Sequence, residues 1–106
     1  MIRAALLSLA LGLAGAAPAA AATPTRACPQ ADPDNGISHV RAGGGISCAS
    51  AFRVAERTNS VKCFLNGNRC THRYAGRSWS CRFTTTSSGG RVRCTSGRRV
   101  VTYRTP

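Results

Sequence analysis

The balance of apolar and polar positions changes character several times along the chain, and each change marks an element. Residues 1–22 carry one charge, Arg3, followed by an apolar run from Ala4 to Leu13 interrupted only by Ser8 and an Ala-rich stretch to Ala22. A charged start, an apolar centre and small residues at Ala20 and Ala22 make a secretory signal that would release Thr23. The uncharged run from Ala4 to Ala22 is nearly long enough for a bilayer core of roughly 30 Å. Its Ala and Gly content and Pro18 favour the cleaved signal over a membrane anchor. A lipid anchor is excluded because Ala16 stands where a lipoprotein signal carries its cysteine.

Residues 23–36 are polar and rich in Pro, Asp and Asn, and Asp32-Pro33-Asp34-Asn35-Gly36 is turn chemistry. They predict an extended arm tied down by Cys28. Asp32 and Asp34 fit two ligands of a calcium loop, but Gly36 comes one residue early and Gly43 stands where the bidentate Glu belongs.

Residues 37–106 are expected to form one small α+β domain, a helix packed on an antiparallel meander sheet and stapled by disulfides. Ile37–Arg41 is a short strand, ended by Gly43-Gly44-Gly45. Cys48–Arg57 is predicted as the helix, with Ser47 able to accept an orphan N–H at its start. Cys48, Ala51, Phe52 and Ala55 recur at helical spacing and share one face. From Cys63 to Cys70 an Asn66-Gly67 centre predicts a tight hairpin, because both positions tolerate positive φ. Cys63 would then oppose Cys70, within disulfide reach.

Ser78–Thr85, Arg91–Thr95 and Arg99–Arg104 alternate with period two. Turns centred on Ser88-Gly89 and Ser96-Gly97 would set Phe83 opposite Cys94 and Val92 opposite Val101. Trp79, Cys81, Phe83, Val92, Cys94, Val101 and Tyr103 then share the face the helix covers. Cys81 and Cys94 come out diagonal, about 7 to 8 Å apart, too far for a bridge. This register favours Cys48–Cys81 with Cys28–Cys94, the alternative being Cys48–Cys94 with Cys28–Cys81.

Composition sharpens the picture in two respects. All six cysteines follow residue 22, and an even number in a short exported chain predicts a disulfide framework in an oxidising compartment. A structural zinc site would show paired C-x-x-C spacings or clustered histidines, whereas the gaps here are long and His39 and His72 stand apart. No metal or other cofactor is expected. Charge is the second respect. After Glu56 the chain has eleven bases and no acid, while Arg26, Arg41 and Arg53 balance Asp32, Asp34 and Glu56 before it. The free face of the meander collects Arg82, Arg91, Arg93, Arg98 and Arg104.

The strings Ile46-Ser47-Cys48-Ala49-Ser50-Ala51, Trp79-Ser80-Cys81-Arg82 and Val92-Arg93-Cys94-Thr95, with Gly97-Arg98-Arg99-Val100-Val101, resemble small exported disulfide-containing proteins of unassigned function from high-GC actinobacteria. The resemblance covers roughly residues 40–104 and implies a helix stapled to an antiparallel sheet, with no catalytic residue to carry over. The Cys63–Cys70 loop departs from it.

These features argue against an enzyme, since no paired titratable groups or nucleophile motif are present. The expectation is a secreted, extracellular binding protein whose Arg face contacts a polyanion: anionic lipid, a wall polymer or extracellular nucleic acid. Guanidinium groups pair bidentately with phosphate and carboxylate. A secreted structural protein, its arginines reflecting a high-GC genome, carries equal weight. A protease-inhibitor-like scaffold presenting Phe64, Leu65 and Arg69 to a protein partner is a further reading. A lytic peptide would need a long amphipathic helix that the sequence lacks.

Overall fold

The computed structural model describes residues 23–29 and 36–106, so the signal expected over residues 1–22 and all but Gly36 of the turn expected at Asp32–Gly36 lie outside the described residues. Strands β1 (Thr25–Ala27) and β2 (Ser38–Gly43) precede helix α1 (Cys48–Ser60), and β3 (Arg69–Tyr74), β4 (Arg77–Thr86), β5 (Gly89–Ser96) and β6 (Arg99–Thr105) follow it. All six strands form one antiparallel sheet in the order β1-β2-β6-β5-β4-β3. The α+β architecture expected from the hydrophobic pattern is therefore present. No helix of the described residues is long and apolar enough to cross a membrane.

Helix α1 starts where its cap predicts. Ser47 is extended and its hydroxyl accepts the Ser50 N–H at 3.1 Å, satisfying one orphan donor of the first turn. The helix runs three residues beyond Arg57 and buries Ala51, Val54, Ala55 and Thr58. These meet Val40, Ala42, Trp79, Cys81, Val92, Cys94, Val101 and Tyr103, the inner face of the sheet. Burying each large apolar side chain there stabilises the fold by roughly 1.5–3 kcal/mol.

The meander differs from the expected register by two residues at both turns. Phe83 faces Val92 and Cys94 faces Val101. A shift of two keeps each side chain on its face, so the inner set is as expected while the partners change. The first turn is Ser87-Ser88, where the Thr86 hydroxyl receives the Ser88 N–H at 3.3 Å and donates to the Gly89 carbonyl at 2.8 Å. Gly90 pairs with Thr85 as a strand residue, and a Cβ there would strike the Phe83 ring. Close packing, rather than turn geometry, selects it.

This register overturns two disulfides. Cys81 lies directly opposite Cys94, with Cα atoms 4.0 Å apart, and the two are bonded to each other. Cys28, following β1, is bonded to Cys48 at the helix start, 5.5 Å away by Cα. The expected Cys48–Cys81 and Cys28–Cys94 bridges are therefore absent, because the diagonal placement of Cys81 and Cys94 requires a β4–β5 turn one position later than the one observed.

The Cys63–Cys70 bridge is present, but its hairpin is not. Residues 61–66 are successive turns unwinding from α1, with the Val61 N–H on the Arg57 carbonyl and the Lys62 N–H on the Asn59 carbonyl. Arg69 pairs with Arg82 on β4 instead of with Phe64. The hairpin forms one element later, at Ala75-Gly76, whose φ values of 54° and 78° suit a two-residue turn. The arm residues 25–27 become an edge strand on β2, locked by the Cys28 N–H on the Val40 carbonyl at 2.8 Å.

Peptide mapping of the unreduced protein is expected to yield Cys28–Cys48, Cys63–Cys70 and Cys81–Cys94. Replacing Cys28 and Cys48 together by Ser is expected to cost about 3 kcal/mol, a Tm drop of roughly 10–25 °C by calorimetry.

Candidate functional site

Strand alternation places one row of side chains on the outer face, offset by one residue from the cysteine row inside. Arg69, Arg82 and Arg93 stand side by side on β3, β4 and β5, and the row continues through Thr102 on β6 to Arg41 on β2. With strands about 4.8 Å apart, the three arginines are immediate neighbours. A parallel row two residues along carries Thr84, Arg91, Arg104 and Ser38. On the other side lie Thr71, Ser80 and Thr95.

Four of the five arginines expected here, Arg82, Arg91, Arg93 and Arg104, are brought together and exposed. Arg98 is exposed but sits in the β5–β6 turn, at the end of the sheet. Arg69, read from the sequence as a loop residue, belongs to the face, and so does Arg41, on the strand next to β6. Period-two alternation would have found Arg69 had the strand after Cys70 been joined to it. Of the loop residues, Phe64 packs on Phe83 with ring centroids 5.6 Å apart, and Leu65 is 76% exposed.

Like charges directly opposite on adjacent strands repel. The face contains three such pairs: Arg69–Arg82, Arg82–Arg93 and Arg91–Arg104. Among the described residues no carboxylate or hydrogen-bond acceptor meets any of these five guanidinium groups. The one acid among them, Glu56, lies on α1, which covers the opposite face. Arg41 is oriented by β1 through bonds of 2.9 and 2.8 Å to the Thr25 hydroxyl and carbonyl.

Two open hollows lie between these side chains. The first, about 600 Å³, is lined by Arg69, Arg82 and Arg93 with Thr71, Ser80 and Thr95. The second, about 580 Å³, is lined by Arg91, Arg93, Arg104 and Arg41 with Thr102 and His39. His39 enters it from a bulge in β2, with φ of 54°. Arg93 borders both.

The inner face holds a different polar group. Thr58, 1% exposed, donates its hydroxyl to the Val54 carbonyl and lies 2.8 Å from His72 Nε2. With the one hydroxyl proton committed, His72 Nε2–H is the donor to Thr58, leaving Nδ1 unprotonated. Nδ1 is buried without a hydrogen bond. Burial holds the His72 pKa below its ordinary value, and the Arg57 charge adds to this against a raising influence of the Arg73 backbone. A second bond joins helix to sheet, from the Tyr103 hydroxyl to Asn59 Oδ1 at 3.0 Å, and burial pushes the Tyr103 pKa up. Cys63, His72 and Cys81 have ligand atoms within 4.8 Å of one another. Both cysteines are in disulfides, which lack the thiolate a metal takes.

No protein-family model, curated protein or solved structure matches the chain.

The lowered His72 pKa has a definite consequence for stability. The unfolded imidazole gains a proton below about pH 6.5 that the folded one resists, so stability falls as pH drops through that range. The Tm difference between pH 7.5 and 5.5 is expected to shrink in His72→Gln, and an unchanged difference would show that His72 is not the responsible group.

Proposed function

We propose that the protein is an exported, non-enzymatic binding module that docks on anionic polymers or surfaces of the cell envelope or its surroundings through the outer face of the sheet. The three disulfides fit an oxidising compartment, and the signal-like residues 1–22 supply the route to it.

One observation carries the reading: three facing Arg pairs with no acid beside them among the described residues. A high-GC genome would account for Arg in place of Lys. It gives no reason for arginines to be stacked opposite one another on one face. Such an arrangement costs on the order of a few tenths of a kcal/mol per pair, and a bound polyanion removes that cost. Phe64 is taken up by Phe83, which leaves Leu65 alone as an apolar anchor for a protein-binding loop.

Binding of the processed protein to heparin and to anionic vesicles is expected to weaken steeply with salt. Five phosphate-type contacts give a slope of roughly −3.5 to −4.5 in log K against log salt. Reversing Arg82, Arg91 and Arg93 to Glu is expected to abolish binding. Absence of binding to both probes at low salt would reject the proposal.

A further inference from the structure

The geometry points to a linear chain of phosphate groups as the ligand, lying across the strands and held at two subsites that share Arg93. This rests on the anionic-partner reading and specifies what kind of anion the face takes.

The first reason is the donor set of each hollow. In the first, Arg69, Arg82 and Arg93 alternate along the strands with the hydroxyls of Thr71, Ser80 and Thr95. A guanidinium fork takes two oxygens of an anion, and a neighbouring hydroxyl donates to a third. A tetrahedral phosphate offers that third oxygen out of the plane of the other two. A planar carboxylate has only two. The second hollow repeats the combination with Arg91, Arg104 and Thr102.

The second reason is direction. The first hollow centres on β4 and the second near β6, two strands away, so the subsites are about 10 Å apart across the sheet. Arg93 on β5 lies between them. A chain with regularly spaced phosphates can fill both at once, and the second contact is then intramolecular.

The third reason is what the face omits. Trp79, Phe83 and Tyr103 belong to the inner face, and Tyr74 shares that side of β3 with His72. Among the described residues no Trp, Tyr or Phe is exposed on this face for base stacking, and the one imidazole, His39, borders the second hollow. The exposed large apolar residues, Val61 and Leu65, lie in the segment between α1 and β3, outside the outer-face rows, so the face itself carries no lipid-inserting group. Recognition rests on the phosphates.

The test is a length series. Calorimetric titration of the processed protein would use inorganic triphosphate, inorganic polyphosphate of increasing length, deoxythymidine and deoxyadenosine homopolymers, and anionic vesicles. Affinity is expected to rise at least about tenfold once the chain spans both hollows. Arg82→Ser, in the first hollow, and Arg104→Ser, in the second, are each expected to remove that rise and leave triphosphate binding at the other hollow. Arg93→Ser should weaken both, whereas Arg98→Ser, outside the hollows, changes affinity less than about threefold. Circular dichroism and Tm verify that each variant is folded. Equal binding of the two DNA homopolymers is expected; a strong base preference would overturn recognition by phosphate alone. Affinity per phosphate that does not change with length, or equal losses from Arg98→Ser and Arg93→Ser, would overturn the two-subsite chain. Vesicle binding without chain binding would overturn it too, while leaving the anionic-partner reading standing. Failure of every probe would remove both.

Discussion

The register between β4 and β5 decides both the covalent framework and the exposed chemistry. Setting Cys81 opposite Cys94 creates an inner row of Cys70, Cys81, Cys94, Val101 and Ala42, in which the second and third members are bonded. The same register, one residue along, sets Arg82 opposite Arg93 on the other face. Because side chains alternate strictly, a disulfide that fixes the inner row fixes the outer row with it. Slipping the pair by two residues would break the bridge and dismantle the Arg row together.

The two faces then divide the work of a small domain. The inner face and α1 supply the apolar core, the Thr58–His72 and Tyr103–Asn59 bonds tie helix to sheet, and Cys28–Cys48 ties the N-terminal strand to the helix. A chain this short gains limited stability from its core alone. The disulfides supply the margin within which an outer face of mutually repelling arginines is tolerated. Stability held in reserve on one side and strained charge on the other is a common pairing at binding sites.

Much of this was legible in the residues, and the failures have specific causes. The helix start, the period-two strands and the inner-face set followed from local patterns: Ser47 as a cap, and the alternation running from Trp79 to Tyr103. The turns were less legible. Gly89 and Gly90 look like turn formers, but Gly90 is small because Phe83 lies over it, a long-range packing demand that no local motif shows. Asn66-Gly67 carries the strongest hairpin signal in the chain, yet the helix runs on past Arg57 and the strand at Arg69 pairs with β4. Tertiary pairing overrode turn propensity there. At the site, alternation marks Arg82, Arg91, Arg93 and Arg104, and would mark Arg69 once its strand is joined to Cys70, while Arg41 depends on a strand neighbour that only the sheet order reveals.

On the proposed reading, the Arg row is arranged for an anion at the expense of the free protein's stability. Arg82, flanked by Arg69 and Arg93, tests it most directly. Measured side by side, the Tm and the polyphosphate affinity of Arg82→Glu should move in opposite directions. Replacing the central repulsion by two attractions is predicted to raise Tm at low salt, with the gain fading as salt screens it, while affinity falls by at least about tenfold. A lower Tm in Arg82→Glu, or unimpaired binding, would contradict the account.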